Sequence, residues 1–250
     1  MKFKKKLPYI LAVVFWLAVW QAAAMIVDKE LLLPSVVTTV AELFRLLQTS
    51  GFYISLLTSI LRIGAGFLLG VLTGVMLASV SYLSKVGRAL TVPLISVMKA
   101  TPVASVIIIL LVWLSRQTVP AVATMLIVVP IVAQNVYTGF TSVDKQLLEM
   151  ADAFHMSGKN KIFKLYIPSA LPYFSTSATV GIGMAWKAGV AAEVICNPAF
   201  GLGADLYESK IYLETPKTFA VTLAVIAVSA AFEVIFKAIF KKRRRGDVKA

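Results

Sequence analysis

The sequence predicts an all-α integral membrane protein with about six transmembrane helices and a helical loop on one side of the membrane. Three observations predict this: 59% of the 250 residues are hydrophobic, only 15% are charged, and long apolar runs alternate with short polar segments. Soluble domains carry roughly 25% charged residues, and about twenty apolar residues suffice to cross the hydrocarbon core. A single domain is expected.

The formal net charge of +13 would suggest a nucleic-acid partner in a soluble protein. Here the basic residues stand beside apolar runs. We therefore interpret them as topology signals and anchors to lipid headgroups, with the bilayer and not nucleic acid as the partner. The single Cys and the single His exclude an intramolecular disulfide and argue against a His/Cys metal site.

The first apolar run covers residues 7–27 and follows a cluster of lysines. It is long enough to span the membrane. A removable signal peptide is the competing interpretation, because Ala22-Ala23-Ala24 can mimic a cleavage site, and we favour a retained span. An apolar stripe after Pro34 predicts a short helix along the outer membrane surface.

The second predicted span, residues 54–82, contains a repeated glycine. Gly66, Gly70 and Gly74 recur every four residues, a spacing that lets two membrane helices approach closely. Glycine is also simply tolerated in membrane helices, but the threefold repeat favours helix packing.

Three more spans have plain hydrophobic signals, at residues 92–114, 119–140 and 218–240. The first of these should be kinked near Pro102, because proline is a common cause of sharp bends.

The fifth span, residues 173–195, contains a strip of small residues and two charged residues, which are unusual within a membrane span. Gly181 and Gly189 belong to a strip of small residues that ends at Glu193, and such a strip either packs against another helix or lines a narrow path. Lys187 projects from a different face, about 20 Å from the inner end of the span. A charge at that depth costs a few kcal/mol against lipid. It therefore either reaches outward to headgroups or stands beside a translocation path.

Residues 143–172 form the longest polar interruption of the chain. Their first part predicts an amphipathic helix, with Asp144 as its N-cap. Ser157-Gly158 indicates a break, and a second short helix should end at Pro168. The apolar face of the first helix can pack on this chain, on the membrane or on a partner. Its residues are Leu147, Met150, Ala151 and Phe154.

This stretch resembles the "EAA" loop of bacterial ABC importer permeases. Glu149-Met150-Ala151 stands at the family's Glu-Ala-Ala, with Met in place of the first Ala, and Leu165-Tyr166-Ile167-Pro168 matches its ending. His155 stands where the family has the Gly of the bend. Either His155 adopts left-handed backbone, which histidine tolerates better than most residues, or the bend moves to Gly158.

The resemblance extends from about residue 33 to the C-terminus, and points to the nitrate/sulfonate/taurine branch of these permeases. The segments that carry it include Leu33-Pro34-Ser35, MKATP at residues 98–102 and GMAWKAGVAAEVI at residues 183–195.

The resemblance implies a type I ABC importer permease fold in the bacterial inner membrane. It implies a second permease copy, two ATPase subunits that bind ATP and Mg, and an external binding protein that delivers the solute. This chain would bind no cofactor and would not be an enzyme, because ATP hydrolysis is expected on the partner subunit. It has no phosphate-binding motif and so cannot hydrolyse ATP alone. The loop residues expected to couple to the ATPase are Leu147, Glu149, Met150, Ala151, Asp152, Phe154, His155 and Gly158.

The expected solute is small and anionic or zwitterionic, like a sulfonate, nitrate or taurine. A heterocyclic vitamin precursor is the alternative for the same architecture. A self-contained secondary transporter is a further alternative, but we find neither clear ion-coupling carboxylates nor an internal repeat. Lys187, Glu193, Gly181 and Gly189 are the candidate path residues.

Both termini are expected in the cytoplasm, because lysine and arginine concentrate at the two ends and in the EAA-like loop. We expect one permease domain. Residues 1–50 hold the first span and the surface helix, residues 51–240 the permease core with the coupling loop at 143–168, and residues 241–250 a basic tail.

Overall fold

The computed structural model describes the backbone of residues 2–246 and the side chains of residue 8 and residues 10–239. The side chains of the N-terminal lysines and of the basic tail at residues 241–250 lie outside this range. The described backbone is helical apart from short connections. Its helices are α1 Lys2–Val27, α2 Val36–Leu46, α3 Ser50–Leu83, α4 Lys85–Ala100, α5 Val103–Trp113, α6 Val119–Thr141, α7 Lys145–Ala153, α8 Gly158–Lys161, α9 Ile167–Cys196, α10 Leu202–Ile211 and α11 Thr215–Gly246, with a π-helical turn at Ile162–Tyr166.

Within the described residues, five helical stretches are long and apolar enough to cross a membrane, and a bent pair raises the number to six. The bent pair is α4 and α5, whose axes meet at 104°. The sequence predicted one kinked span over residues 92–114. The disruption does lie at Thr101 and Pro102, near the predicted kink, but it is a full break and not a kink. Both residues have extended backbone, because proline disfavours helix at the residue before it.

The centre of the fold is the contact of α6 with both α3 and α9. The glycines at 66, 70 and 74 are buried and face α6. A Cβ at Gly70 would lie 2.7 Å from Val128 Cβ, and one at Gly74 would lie 2.8 Å from Val132 Cβ. This is the close helix approach that the glycine spacing predicts.

A hydrophobic core surrounds Trp186 on α9, whose side chain is almost fully buried. Its indole N–H donates to the carbonyl of Val225 on α11 at 3.0 Å, so the buried ring has a satisfied polar atom. In contrast, α1 is exposed along most of its described length. It touches the rest of the chain near α2, where Trp20 donates to the carbonyl of Pro34.

The second half of the 143–172 segment differs from its prediction. Pro168 does not end a short helix, because helical backbone continues from Gly158 through the π-helical turn into α9. The turn is closed by the bond from Ile167 N–H to the carbonyl of Ile162. A wider π turn just before Pro168 accommodates its ring, and the missing N–H falls near the start of α9.

Candidate functional site

The turn after α7 gives His155 a defined role. Its φ is +48°, so it has the left-handed backbone that favours glycine. His155 N–H donates to the carbonyl of Asp152 at 3.0 Å, and Met156 N–H donates to the carbonyl of Ala151 at 2.8 Å. These two bonds define a Schellman motif with His155 at the usual glycine position. The bend is therefore at His155.

Capping side chains define both helix starts of the loop. Asp144 accepts from the N–H of Gln146 at 2.9 Å and caps α7, as the sequence predicted. Ser157 caps α8, and Gly158 has no positive φ. An ion pair between Asp152 and Lys161 then ties α7 to α8. Asp152 thus contacts its own loop.

The apolar face of α7 divides between the chain's interior and the outside. Ala151 is 1% exposed and faces the rest of the chain. Leu147, Met150 and Phe154 are 41%, 47% and 78% exposed, and Glu149 on the same helix is also exposed. An apolar stripe with spacing i, i+3, i+7 is therefore free to meet another surface.

The central helix α9 leaves one narrow face uncovered. Exposed residues recur along it at intervals of three or four. Lys187 lies in this exposed face, and the described residues provide it with no hydrogen bond or ion pair. The members of the face are Thr176, Val180, Met184, Lys187, Ala191 and Ile195.

The other three candidate path residues lie in the packed interior. Gly181 faces Phe67, and a Cβ at Gly189 would lie 2.5 Å from a carbon of Ile63, both on α3. Glu193 is 0% exposed. Of the two roles predicted for the strip, close packing against another helix describes these positions, and Lys187 alone of the four candidates is exposed.

Glu193 is the centre of a polar network at the end of the bundle near α10. It accepts from Ser59 Oγ at 2.7 Å and from Gly203 N–H at 3.1 Å, and it forms an ion pair with Arg62. Arg62 also donates to Gln117, in the α5–α6 connection, at 2.6 Å. Sequence reasoning missed Arg62 as the partner of Glu193. The signal was a lone arginine inside an apolar span, which calls for a buried acidic partner.

At the same end, a cavity of about 390 Å³ lies between α2, α3 and α10. Asp205 lines it and accepts from Ser55 Oγ at 3.0 Å. Burial raises the pKa of the Asp205 carboxyl to about 6, against the opposing effects of the Ser55 hydrogen bond and the Lys217 charge. The cavity therefore contains a group that titrates in mildly acidic conditions.

Comparison with known proteins identifies the class. The profile of the family described as "Binding-protein-dependent transport system inner membrane component" matches residues 70–245. The chain belongs to this family, so it is a membrane-spanning permease of the ABC importer type and a multi-pass membrane protein.

Three relatives have names that specify a solute. The nitrate import permease protein NrtB of Synechococcus elongatus is 27% identical over 206 residues, which cover 78% of this chain and 73% of the relative. The putative aliphatic sulfonates transport permease protein SsuC of Bacillus subtilis is 26% identical over 207 residues, covering 82% and 74%. A bicarbonate transport system permease protein, CmpB of S. elongatus, is 24% identical over 160 residues, covering 64% and 58%.

Solved structures share the fold. A bacterial ABC transporter for import of the acidic polysaccharide alginate superposes with a TM-score of 0.66 at 11% identity, covering 96% of this chain and 97% of that chain. An inward-facing MetNI methionine ABC transporter gives a TM-score of 0.60 at 16% identity, covering 77% and 94%. The expected type I importer permease fold is confirmed.

Proposed function

We propose that this chain forms half of a translocation path for a small anion and couples it to a separate ATPase through α7. The observation that carries this proposal is the exposed apolar stripe of Leu147, Met150 and Phe154, held in place by the Schellman turn at His155. An apolar helix face of this kind fits a groove on a partner. ATP and Mg would bind to that partner, and this chain would need no cofactor of its own.

The charged residues around α7 suit a docking surface in which a polar rim surrounds the apolar stripe. Glu149 is exposed and available to a basic group of the ATPase. Asp152 is satisfied by Lys161 within the loop, so its role is to brace α7 against α8. Gly158, at the start of α8, has open space around it and lies within reach of the same partner. Ala151 supports the loop from inside.

The positive-inside bias supports a cytoplasmic location for this loop and for both termini. In that orientation the α10 end and its cavity face outward. The family description names a binding protein, and a structural neighbour was solved in complex with a periplasmic protein. In the proposed orientation such a protein would dock at the α10 end.

The exposed face of α9 supports a second copy of the permease across a shared path. Lys187 lies in this face at a depth where a charge against lipid costs a few kcal/mol. A water-filled path between two copies removes that cost. A cation in such a path favours anions, and relatives of this chain are named for nitrate, sulfonates and bicarbonate.

Uptake by cells that express the complete transporter tests the path assignment. We expect Lys187→Met to lower uptake of nitrate or a short alkanesulfonate by roughly tenfold or more, equivalent to about 1.4 kcal/mol, and Lys187→Arg to preserve it. Lys237→Met is the matched control, because Lys237 is an exposed lysine on α11, outside α7, α10 and the α9 face. Wild-type uptake by Lys187→Met would remove Lys187 from the path.

A further inference from the structure

A second basic feature lies between α4 and α6, away from α7 and from Lys187. A cavity of about 270 Å³ opens there. Two cationic side chains line it, Arg88 from the first turn of α4 and Lys99 from the last. Its other lining residues are Ser81, Val92, Ile95, Ser96, Ala133, Gln134 and Tyr137.

The two cations converge on one part of α6. Lys99 Nζ donates to Gln134 Oε1 at 2.7 Å, and the Arg88 guanidinium lies 5.1 Å from the centre of the Tyr137 ring. Arg88 and Lys99 are about 16 Å apart along α4 at helical rise. Their partners on α6 are only about 4.5 Å apart by the same measure. The long side chains therefore lean toward each other over the cavity.

No carboxylate lines the cavity among the residues that the structure describes. None of the ion pairs among the described residues includes Arg88 or Lys99. The partners of the two cations are an amide and an aromatic ring, which orient the positive groups without neutralising them. Two positive charges without a carboxylate partner at one cavity favour binding of an anion.

The cavity shares one wall residue, Lys99, with a second cavity that includes a residue one turn from Lys187. A neighbouring, mainly apolar cavity of about 260 Å³ has both Lys99 and Met184 in its wall. Met184 belongs to the exposed face of α9, one turn before Lys187. Lys99 thus stands between the region of Lys187 and the α4–α6 cavity. Arg88 is closest to the end of the bundle that holds α7, because α4 begins there after α3.

We propose that the α4–α6 cavity binds an oxyanion group between Arg88 and Lys99, on the α7 side of Lys187. Guanidinium and ammonium donors suit the oxygens of a sulfonate, nitrate or phosphate group. The volume accommodates a small oxyanion with several waters, each of which occupies about 30 Å³. This inference rests on the proposed function, and it assigns a station to the solute on its way to the α7 side. The phosphate of a lipid headgroup offers the same chemistry, so the test must separate the two sources.

Ligand-dependent thermal unfolding of the purified full chain tests the site without an ATPase or binding protein. The protein is kept in uncharged detergent micelles, and sodium methanesulfonate replaces sodium gluconate at constant ionic strength. We expect the unfolding midpoint to rise with the logarithm of ligand concentration above the dissociation constant, by about 3 °C at ten times that constant. Arg88→Gln and Lys99→Gln should lose most of this rise, and Lys99→Arg should retain it.

Lys85→Gln is the matched control, since it removes one positive charge from the same helix without touching the cavity. A second series adds phosphatidylglycerol to the micelles in place of methanesulfonate. A rise with the lipid alone, lost in both Gln variants, supports the site and assigns it to a headgroup phosphate. The proposal is overturned if neither probe shifts the wild type, or if both Gln variants respond like the wild type.

Failure here is distinguishable from failure of the proposed function. Loss of the shift in both Gln variants together with normal uptake by Lys187→Met would keep the oxyanion site and reject the path role of Lys187. Wild-type-like shifts in both Gln variants together with reduced uptake by Lys187→Met would keep that path role and reject the site.

Discussion

Glu193 on α9 and Arg62 on α3 form a buried ion pair that joins two spans at the α10 end of the bundle. The Glu193 side chain is 0% exposed and the Arg62 side chain is 11% exposed. A buried carboxylate is tolerated only when it is paired and hydrogen-bonded. Ser59, Arg62 and the backbone of Gly203 together meet that requirement.

Removing one partner of this ion pair should destabilise the folded protein. We expect Arg62→Met to lower the free energy of unfolding by about 3–5 kcal/mol, because it leaves Glu193 buried without its cation. Thermal unfolding in detergent micelles measures this, and the double variant Arg62→Met/Glu193→Gln should recover part of the loss. The control is Arg45→Met, whose side chain is 79% exposed and lies 3.6 Å from Glu42. It should cost less than about 1 kcal/mol. Equal losses in Arg62→Met and Arg45→Met would contradict the assigned role.

Two glycines on α3 provide a direct test of its contact with α6. A Cβ at Gly66 would overlap the carbonyl of Ala121, whereas a Cβ at Gly64 meets nothing within 4 Å. Gly66→Ala should therefore lower the free energy of unfolding by about 1–3 kcal/mol. Gly64→Ala should be neutral or slightly stabilising, since alanine favours helix. The measurement is thermal unfolding of the two variants side by side. Two similar unfolding midpoints would refute the close contact at Gly66.

The fold was largely predictable because its signals are local. Apolar runs indicate where the spans lie, and the glycine repeat in α3 indicates a packing face. Long-range pairings carry no comparable signal: Arg62 and Glu193 are 131 residues apart, so only the folded chain brings them together. The break between α4 and α5 was predicted as a kink, because a proline in a sequence indicates disruption but not its angle.

The bend after α7 is the next test. His155 adopts left-handed backbone, which costs a non-glycine residue about 1–2 kcal/mol. We expect His155→Gly to keep transport and to stabilise the loop, and His155→Val to impair both. Gly158→Ala is the control for the backbone effect and should leave the stability unchanged, because Gly158 has no positive φ and open space around it. Transport by the complete importer and thermal unfolding of the permease are the measurements. If His155→Gly assembled normally but lost transport, the imidazole itself would make a required contact.

Asp205 should make stability depend on pH. Its pKa of about 6 lies above the ordinary value of 3.8, so the folded chain holds this proton more tightly than the unfolded chain. The stabilisation is fully present below about pH 3.8 and is lost as pH rises through about 6. The difference between the unfolding midpoints of the wild type and Asp205→Asn should therefore decrease as the pH is raised from about 4 to about 7. A difference that is constant or that grows with pH would be inconsistent with the raised pKa.

The apolar face of the 143–172 loop was more predictable from the sequence than the backbone geometry of its bends. Asp144 was recognisable as a cap, and the exposed stripe followed from helical periodicity. The choice between His155 and Gly158 depended on backbone dihedrals, which two tolerant residue types left open. The continuation through Pro168 depended on a π-helical turn that has no sequence signature of its own. The burial of Ala151 depended on which side of α7 meets the rest of the chain.

Docking of the ATPase on α7 is tested most directly by the amount of ATPase subunit that copurifies with the tagged permease from bacterial membranes. Phe154→Asp places a charge at the most exposed residue of the stripe, and Phe200→Asp makes the same change in the connection before α10. Both side chains are exposed, at 78% and 53%. We predict that Phe154→Asp reduces the amount of copurified ATPase by roughly tenfold or more, since an aromatic anchor of an interface is commonly worth about 2 kcal/mol. Phe200→Asp should retain the wild-type amount. Equal retention by the two variants would contradict coupling through α7.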